Sequence, residues 1–242
     1  ELLYTDSSTV DKLTTSEALK VMLSDHENGL FSVRKALKEI EKAVKLIYSH
    51  IKNNHKSKII YCGAGTSGRI GVQDGVELNP TFGWPTERLD FILAGGVEAL
   101  TKSIENSEDD IENAKLLAKK HKLTNSDVVI GLAASGNTRF TEEILKIASK
   151  KDSLTIAISN NPMGSILGKA KINIVLDTKQ EVIAGSTRLK AATAQKVCLN
   201  LISTMLMIKL GNVKDGQMIN LIPNNKKLIK RKLRIEKYFG NK

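Results

Sequence analysis

The stretch Lys58–Arg69, KIIYCGAGTSGR, decides the fold of this chain, because an apolar run passes directly into a loop of glycines and hydroxyl side chains. Four later runs have the same character, namely LDFILAGG at 89–96, DVVIGLAAS at 127–135, LTIAISNN at 154–161 and INIVLDT at 172–178. Nearly continuous apolar runs are typical of parallel strands that are buried on both faces. Helix-like stretches separate them, so the sequence predicts an α/β three-layer sandwich with a five-stranded parallel sheet.

Helical periodicity appears at both ends of the chain. Apolar residues recur at steps of three and four and predict one long N-terminal amphipathic helix through Leu30, Val33, Leu37, Ile40, Val44, Ile47 and Ile51. A second long helix is predicted from Thr187 to Leu210, with Ser186 or Thr187 as its cap and Gly211 as its stop. Beyond Pro223 a short basic helix is expected. We therefore expect one domain at 1–222 and a basic helical tail at 223–242.

The cysteines and histidines indicate neither a disulfide framework nor a metal site. Cys62 and Cys198 lie in separate apolar stretches, and the four histidines show no pair at metal-ligand spacing. We expect no bound metal and a reducing cytoplasmic environment. The apolar stretch 197–210 is too short and too polar for a membrane span, and residues 1–9 lack a signal-peptide pattern, so no membrane contact is expected.

The net charge of +11 is unevenly distributed. Residues 226–242 carry eight Lys or Arg and one Glu, so most of the excess lies in the tail. A terminal basic run is more often a solvated helix face than a nucleic-acid contact. We expect no nucleic-acid partner, although the tail keeps that hypothesis open.

Two loops combine glycines with hydroxyl groups where strands end. Gly63–Arg69 is the first, and Ser135 with Thr138 forms the second, in AASGNT. Such loops at helix N-termini favour an anion. The first also fits the GxGxxG pattern of dinucleotide sites, but the second strand ends in LAGG at 93–96 without the carboxylate that a ribose requires. A compact phosphate is the favoured ligand, and the alternative is a pair of tight capped turns without a catalytic role.

Three longer stretches carry a resemblance to a known family. GAGTSGRIGVQDGVELNPTFG at 63–83, AGG at 94–96 and GSTRLKAATAQK at 185–196 resemble the N-acetylmuramic acid 6-phosphate etherases, which have a sugar isomerase (SIS) domain. The resemblance implies a flavodoxin-like strand order, a sugar-phosphate substrate, no cofactor, and homodimers whose subunits complete each other's sites. It also implies that the tail is the start of a truncated C-terminal helical region.

The resemblance assigns roles to individual residues. It implies that Glu77 is the main acid/base residue and Glu108 a second catalytic glutamate. Because Glu108 follows the second strand, we expect both to reach one rim of the sheet. The residues that would hold the 6-phosphate are Gly65, Thr66, Ser67, Ser135, Gly136 and Thr138. Lys190 is a further candidate for binding an anionic group, and the alternative is a solvated helix lysine. Arg69 is ambiguous between an anion ligand and an intersubunit ion pair.

The implied activity is cleavage of a lactyl ether from a muramic acid 6-phosphate sugar by elimination and then hydration, in cell-wall sugar recycling. Two alternatives remain open. An aldose/ketose isomerase would use the same loops and a glutamate to move a proton between carbons 1 and 2. A non-catalytic sugar-phosphate sensor would keep the loops without turnover.

Overall fold

The sheet is the centre of the fold in the computed structural model, which describes residues 9–240. Its five strands are all parallel, in the order β2-β1-β3-β4-β5. They are β1 (Ile59–Gly63), β2 (Leu89–Leu93), β3 (Val128–Ala133), β4 (Leu154–Ser159) and β5 (Ile172–Val175). The predicted three-layer sandwich and its flavodoxin-like strand order are confirmed.

Helices cover both faces of the sheet. One face packs against α1 (Thr15–Lys35), α2 (Leu37–Ile51), α3 (Gly65–Val76) and α7 (Lys190–Lys209). The other face packs against α5 (Ile111–Lys120) and α6 (Arg139–Lys150). Each face has its own buried apolar cluster, with Ile130 and Ile156 in the first and Phe140 and Ile144 in the second. This double burial explains why the strands read as continuous apolar runs.

The prediction of one long N-terminal helix is wrong. Two helices, α1 and α2, meet at Ala36, whose φ of −88° and ψ of 7° interrupt the helical geometry. The apolar period crosses this break unchanged, because Ala36 and Val33 are both buried on the same side as Ile40. The bend therefore leaves no mark in the spacing of the apolar residues.

Helix α7 starts later than predicted. Neither Ser186 nor Thr187 caps it, and Leu189 stands at its N-cap position. The Glu181 carboxylate instead accepts the backbone N–H groups of Lys190 (3.1 Å) and Ala191 (2.9 Å). Gly211 ends the helix as predicted, with φ of +82°.

Helix α7 passes the length and hydropathy test for a membrane span. More than half of that span is nevertheless buried inside the chain, and the helix packs on α1, α2 and α3. This is the burial of a core helix.

The C-terminal segment forms a hairpin and a basic helix. The hairpin pairs β6 (Val213–Lys214) with β7 (Gln217–Met218), and α8 (Lys226–Gly240) follows. Most of the α8 side chains are exposed. The signal-peptide expectation falls almost entirely on residues 1–8, outside the described part of the chain.

The contacts of Trp84 lie at the amino-terminal ends of the strands, next to the short helix α4 (Leu78–Phe82). Trp84, the only tryptophan in the sequence, is buried, and its indole N–H donates to the Arg88 carbonyl (3.2 Å). The Arg88 guanidinium lies 4.3 Å from the indole ring and donates to the carbonyls of Asn54 and Ser57, both at 3.0 Å. The Trp84 backbone N–H donates to Leu78 (3.2 Å), so α4 is held near these strand ends.

Candidate active site

The first glycine loop opens at the carboxyl end of β1. A Cβ atom on Gly68 would lie 2.9 Å from the Gly63 carbonyl oxygen, so two glycines let α3 begin directly against the strand. Within residues 9–240, no side chain caps the N-terminus of α3. Its first N–H groups are therefore available to an anion, beside the half-buried Thr66 and the buried Ser67.

The second loop lies on the neighbouring strand, at the start of α6. Gly136 has φ of +74°, and a Cβ atom there would be 2.4 Å from the Gly164 Cα. The Asn161 amide donates to the Ser135 carbonyl (3.0 Å), so the loop is held from β4. Thr138 stands at the N-cap of α6 without a side-chain capping bond within the described residues. Since β1 and β3 are paired, two helix N-termini face the same rim.

A cavity of about 350 Å³ joins the first loop to Glu108. It is lined by Gly65 and Thr66 on one side and by the segment 102–108 on the other. Glu108 lies in the 3-10 turn Ser107–Asp109, which packs beside α6, and its side chain is exposed. The structure thus brings Glu108 together with two of the predicted phosphate-binding residues.

Arg69 has a contact set that the sequence did not indicate. Its Nε donates to the Ala99 carbonyl (2.8 Å) and its Nη2 to the Lys102 carbonyl (2.9 Å). The planar guanidinium suits two acceptors at once. Arg69 therefore ties α3 to the segment that carries Glu108, and its role in binding an anion or a second subunit stays a prediction.

Glu77 lies far from these loops within one chain. Helix α3 runs back along β1, since a Cβ on Gly71 would touch the Tyr61 Cβ (3.2 Å) and one on Gly75 would touch the Phe91 ring. Glu77 stands at the C-terminal end of this helix, and its side chain is exposed. It directly precedes α4, which the Trp84 backbone holds near the amino-terminal ends of the strands. Ten residues of helix separate it from Ser67, or about 15 Å at 1.5 Å per residue. The expectation that both glutamates reach one rim of the same chain is wrong.

Lys190 is buried at the start of α7. Its ammonium group donates to Asp25 Oδ1 (2.6 Å) and to the Gln180 carbonyl. The alternative of a solvated helix lysine is therefore excluded, and its role as a substrate ligand stays a prediction. A second cavity of about 420 Å³ lies close by, lined by Asn161, Gln180 and Thr187 among others.

A buried carboxyl group on α3 was missed at the sequence level. Asp74 accepts hydrogen bonds from the Tyr61 hydroxyl (2.9 Å), the Asn200 amide (2.7 Å) and the Ser203 hydroxyl (3.1 Å). Burial raises the pKa of Asp74 above its usual value, although the three hydrogen bonds act in the opposite direction. Its glycine-rich, apolar setting in GVQDGV was a signal that could have revealed it.

Across residues 9–240, no group of three or more His, Cys, Asp or Glu side chains could hold a metal ion. The groups available at the rim are helix N-termini, hydroxyl groups and the carboxyl groups of Glu105 and Glu108.

Comparison with known folds defines the class of protein first. A family model for the SIS domain matches residues 104–205, and one for the N-terminal SIS domain of glucokinase regulatory protein matches residues 39–149. A phosphoheptose isomerase from Francisella tularensis has a similar structure, with a TM-score of 0.57 at 18% identity, over 83% of this chain and 100% of that one. The Vibrio vulnificus NanR protein complexed with ManNAc-6P has a TM-score of 0.51 at 15% identity, over 90% of this chain and 68% of that one. At these identities the likeness establishes the SIS fold alone.

Sequence relatives then give the family. The N-acetylmuramic acid 6-phosphate etherase of Clostridium acetobutylicum is 43% identical over 230 residues, which cover 95% of this chain and 76% of the relative. That of Oceanobacillus iheyensis is 44% identical over 93% of this chain and 76% of the relative. The chain belongs to the N-acetylmuramic acid 6-phosphate etherase family, and the predictions of that family and of an enzyme are confirmed.

Proposed function

We propose that this chain cleaves the lactyl ether of N-acetylmuramic acid 6-phosphate to give N-acetylglucosamine 6-phosphate and D-lactate. The single observation that carries the proposal is the cavity lined by both Glu108 and the N-terminus of α3, in a chain of this family. Such a site combines a proton-transfer group with an anion site, and both are needed for elimination from a phosphorylated sugar.

The two glycine loops grip the 6-phosphate in this proposal. Helices α3 and α6 both start at the rim, and their first N–H groups and the hydroxyls of Thr66, Ser67, Ser135 and Thr138 supply donors. Gly65 and Gly136 adopt positive φ, which lets the backbone turn sharply where the phosphate approaches. A firm grip on the distal phosphate fixes the sugar against the carboxyl groups.

The chemistry requires two proton transfers. With the sugar ring open, the carbon 1 aldehyde acidifies the proton on carbon 2. A carboxylate removes that proton while the bond between carbon 3 and oxygen breaks, and lactate leaves with the electron pair and takes up a proton from an acid. Water then adds to the alkene, with its hydroxyl on carbon 3 and a proton on carbon 2. Glu77 and Glu108 share these acid and base roles in our proposal.

A second copy of the chain supplies Glu77. Since about 15 Å of helix separates Glu77 from Ser67 in one protomer, a single copy cannot present both to one sugar phosphate. A homodimer in which Glu77 of one protomer reaches the rim of its partner meets this requirement. Apolar side chains on α1, α2 and α7 are exposed and offer a surface for the pairing, including Leu30, Phe31, Leu37 and Met205.

We place this enzyme in the cytoplasm, in recycling of cell-wall sugars. The buried, unpaired Cys62 and Cys198 are compatible with a reducing compartment. We treat residues 1–222 as the catalytic domain and 223–242 as an appended basic tail without a nucleic-acid role. Lys190 as an anion ligand stays a prediction from the family resemblance and the proposed chemistry does not depend on it; no metal or organic cofactor takes part in the proposal.

The test is release of D-lactate from N-acetylmuramic acid 6-phosphate, coupled to lactate dehydrogenase. We expect turnover by the purified chain, and a fall of about 10²–10⁴-fold in kcat for Glu108→Gln with binding of N-acetylglucosamine 6-phosphate retained. The exposed Glu112, on the following helix α5, provides the matched control Glu112→Gln. Interconversion of hexose phosphates without lactate would instead identify an isomerase, and binding without any turnover a sensor.

A further inference from the structure

A buried ion pair joins α1 to the first residue of α7. Asp25 and Lys190 meet at 2.6 Å, with side-chain exposures of 16% and 5%. Taking two charges out of water is costly, so a buried pair is weak evidence for stability and calls for another explanation. Its other contacts provide one.

Both side chains of the pair hold the same short backbone segment. Asp25 Oδ2 accepts the N–H of Val182 (3.2 Å), and the Lys190 ammonium donates to the carbonyl of Gln180. Between them, the Glu181 carboxylate caps α7. The pair therefore fixes residues 180–182 on both sides of the capping group.

Docking of α1 on α7 does not depend on the pair alone. The His26 ring nitrogen Nδ1 lies 3.0 Å from the Thr193 hydroxyl, and Gly29 lets the two helices approach, since a Cβ there would be 3.0 Å from the Lys190 carbonyl oxygen. The additional effect of the Asp25–Lys190 pair is to hold the loop before α7 in place. That loop contributes Gln180, Gly185 and Thr187 to the 420 Å³ cavity, whose lining also includes Asn161.

Asn161 connects this cavity to the second glycine loop through its hydrogen bond to the Ser135 carbonyl. We propose that Asp25 and Lys190 are positioning residues, which set the loop 179–189 against the sugar-phosphate site without touching the substrate. This inference rests on the proposed function for the identity of that site. It replaces the substrate-ligand role of Lys190 with an indirect one.

The experiment is a double-mutant cycle on the full chain with Asp25→Asn, Lys190→Met and the combined variant. Lactate release gives kcat and KM, calorimetry gives the affinities for N-acetylglucosamine 6-phosphate and inorganic phosphate, and circular dichroism gives Tm. The control pair is Glu112→Gln with Lys115→Met, an exposed ion pair on α5. Lys190→Arg keeps the positive charge.

We expect each single variant to lose about a hundredfold in kcat/KM, as for a misplacement of about 1 Å, and the combined variant to lose no more than either single one. Lys190→Arg should recover part of the loss. Affinity for inorganic phosphate should stay within about twofold of wild type, because the glycine loops are untouched. The control pair should retain wild-type kinetics.

Two results would overturn the proposal. Loss of phosphate affinity in Lys190→Met but not in Asp25→Asn would make Lys190 a direct ligand. A lowered Tm with unchanged kcat/KM in the folded fraction would make the pair structural only. If the wild-type chain released no lactate, the proposed function would fail by itself. The positioning role would then be judged by whether both variants weaken N-acetylglucosamine 6-phosphate but not inorganic phosphate.

Discussion

Replacing Gly136 with alanine should destabilise the chain and loosen its second glycine loop. The new Cβ would lie 2.4 Å from the Gly164 Cα and 2.5 Å from the Ser159 Oγ, so one backbone segment must move. The left-handed φ of +74° costs a non-glycine residue about 1–2 kcal/mol, and overpacking costs about 1–3 kcal/mol more. The free energy of unfolding should therefore fall by about 2–5 kcal/mol. At about 2–4 °C per kcal/mol for a chain of this size, Tm falls by at least about 4 °C.

The assay is thermal unfolding followed by circular dichroism, together with calorimetric binding of N-acetylglucosamine 6-phosphate. Gly168→Ala is the matched control, because a Cβ there meets no other described atom within 4 Å. Its stability should change by no more than about 0.5 kcal/mol. The displaced loop in Gly136→Ala should also weaken binding, since Ser135 and Thr138 move with it. A Gly136→Ala chain with the Tm and affinity of wild type would refute the reasoning.

Two further predictions concern α3, the first on Glu77 at its C-terminal end and the second on Asp74 within it. Glu77→Gln should bind N-acetylglucosamine 6-phosphate normally but lose about 10²–10⁴-fold in kcat. Refolded together with Ser67→Ala in equal amounts, it should regain roughly a quarter of the wild-type rate, because half of the dimers then hold one intact site; a mixture as inactive as its components would exclude sharing of sites. For Asp74, burial raises the pKa, so the stability that this group gives is complete below the unfolded-state value of 3.8 and is lost as the pH rises through the folded-state value. Asp74→Asn does not titrate, so its Tm should improve relative to wild type as the pH rises above 3.8 and through the raised pKa of Asp74. A Tm difference that does not vary with pH would contradict the assignment.

The strands were predictable because burial on both faces leaves a local trace in each run, whereas their order was predicted from the family resemblance. The break at Ala36 was not, because a small apolar residue fits the helical period whether or not the helix continues. The start of α7 depends on Glu181, which lies nine residues before Lys190 and caps the helix across a loop. A cap at that distance has no local pattern.

The candidate site was predicted in part. Loop residues at the ends of adjacent strands came together, as the rule for parallel sheets requires. Glu77 does not lie with them, because the twelve residues of α3 carry the chain back to the amino-terminal ends of the strands. Arg69 and Lys190 have cationic side chains, which from sequence alone suggest binding of an anion. Only the three-dimensional structure shows that Arg69 donates to two carbonyl groups and that Lys190 pairs with Asp25.

The position of Trp84 makes the protein convenient to observe optically. With a single indole in the sequence, intrinsic fluorescence reports from one place only, where a guanidinium lies over the ring. That place adjoins α4 and the Glu77 end of α3 rather than the glycine loops. A change in Trp84 emission on adding a sugar phosphate would therefore report a structural change at the amino-terminal ends of the strands, away from the glycine loops. Association of two copies could be followed in the same way, without attaching a dye.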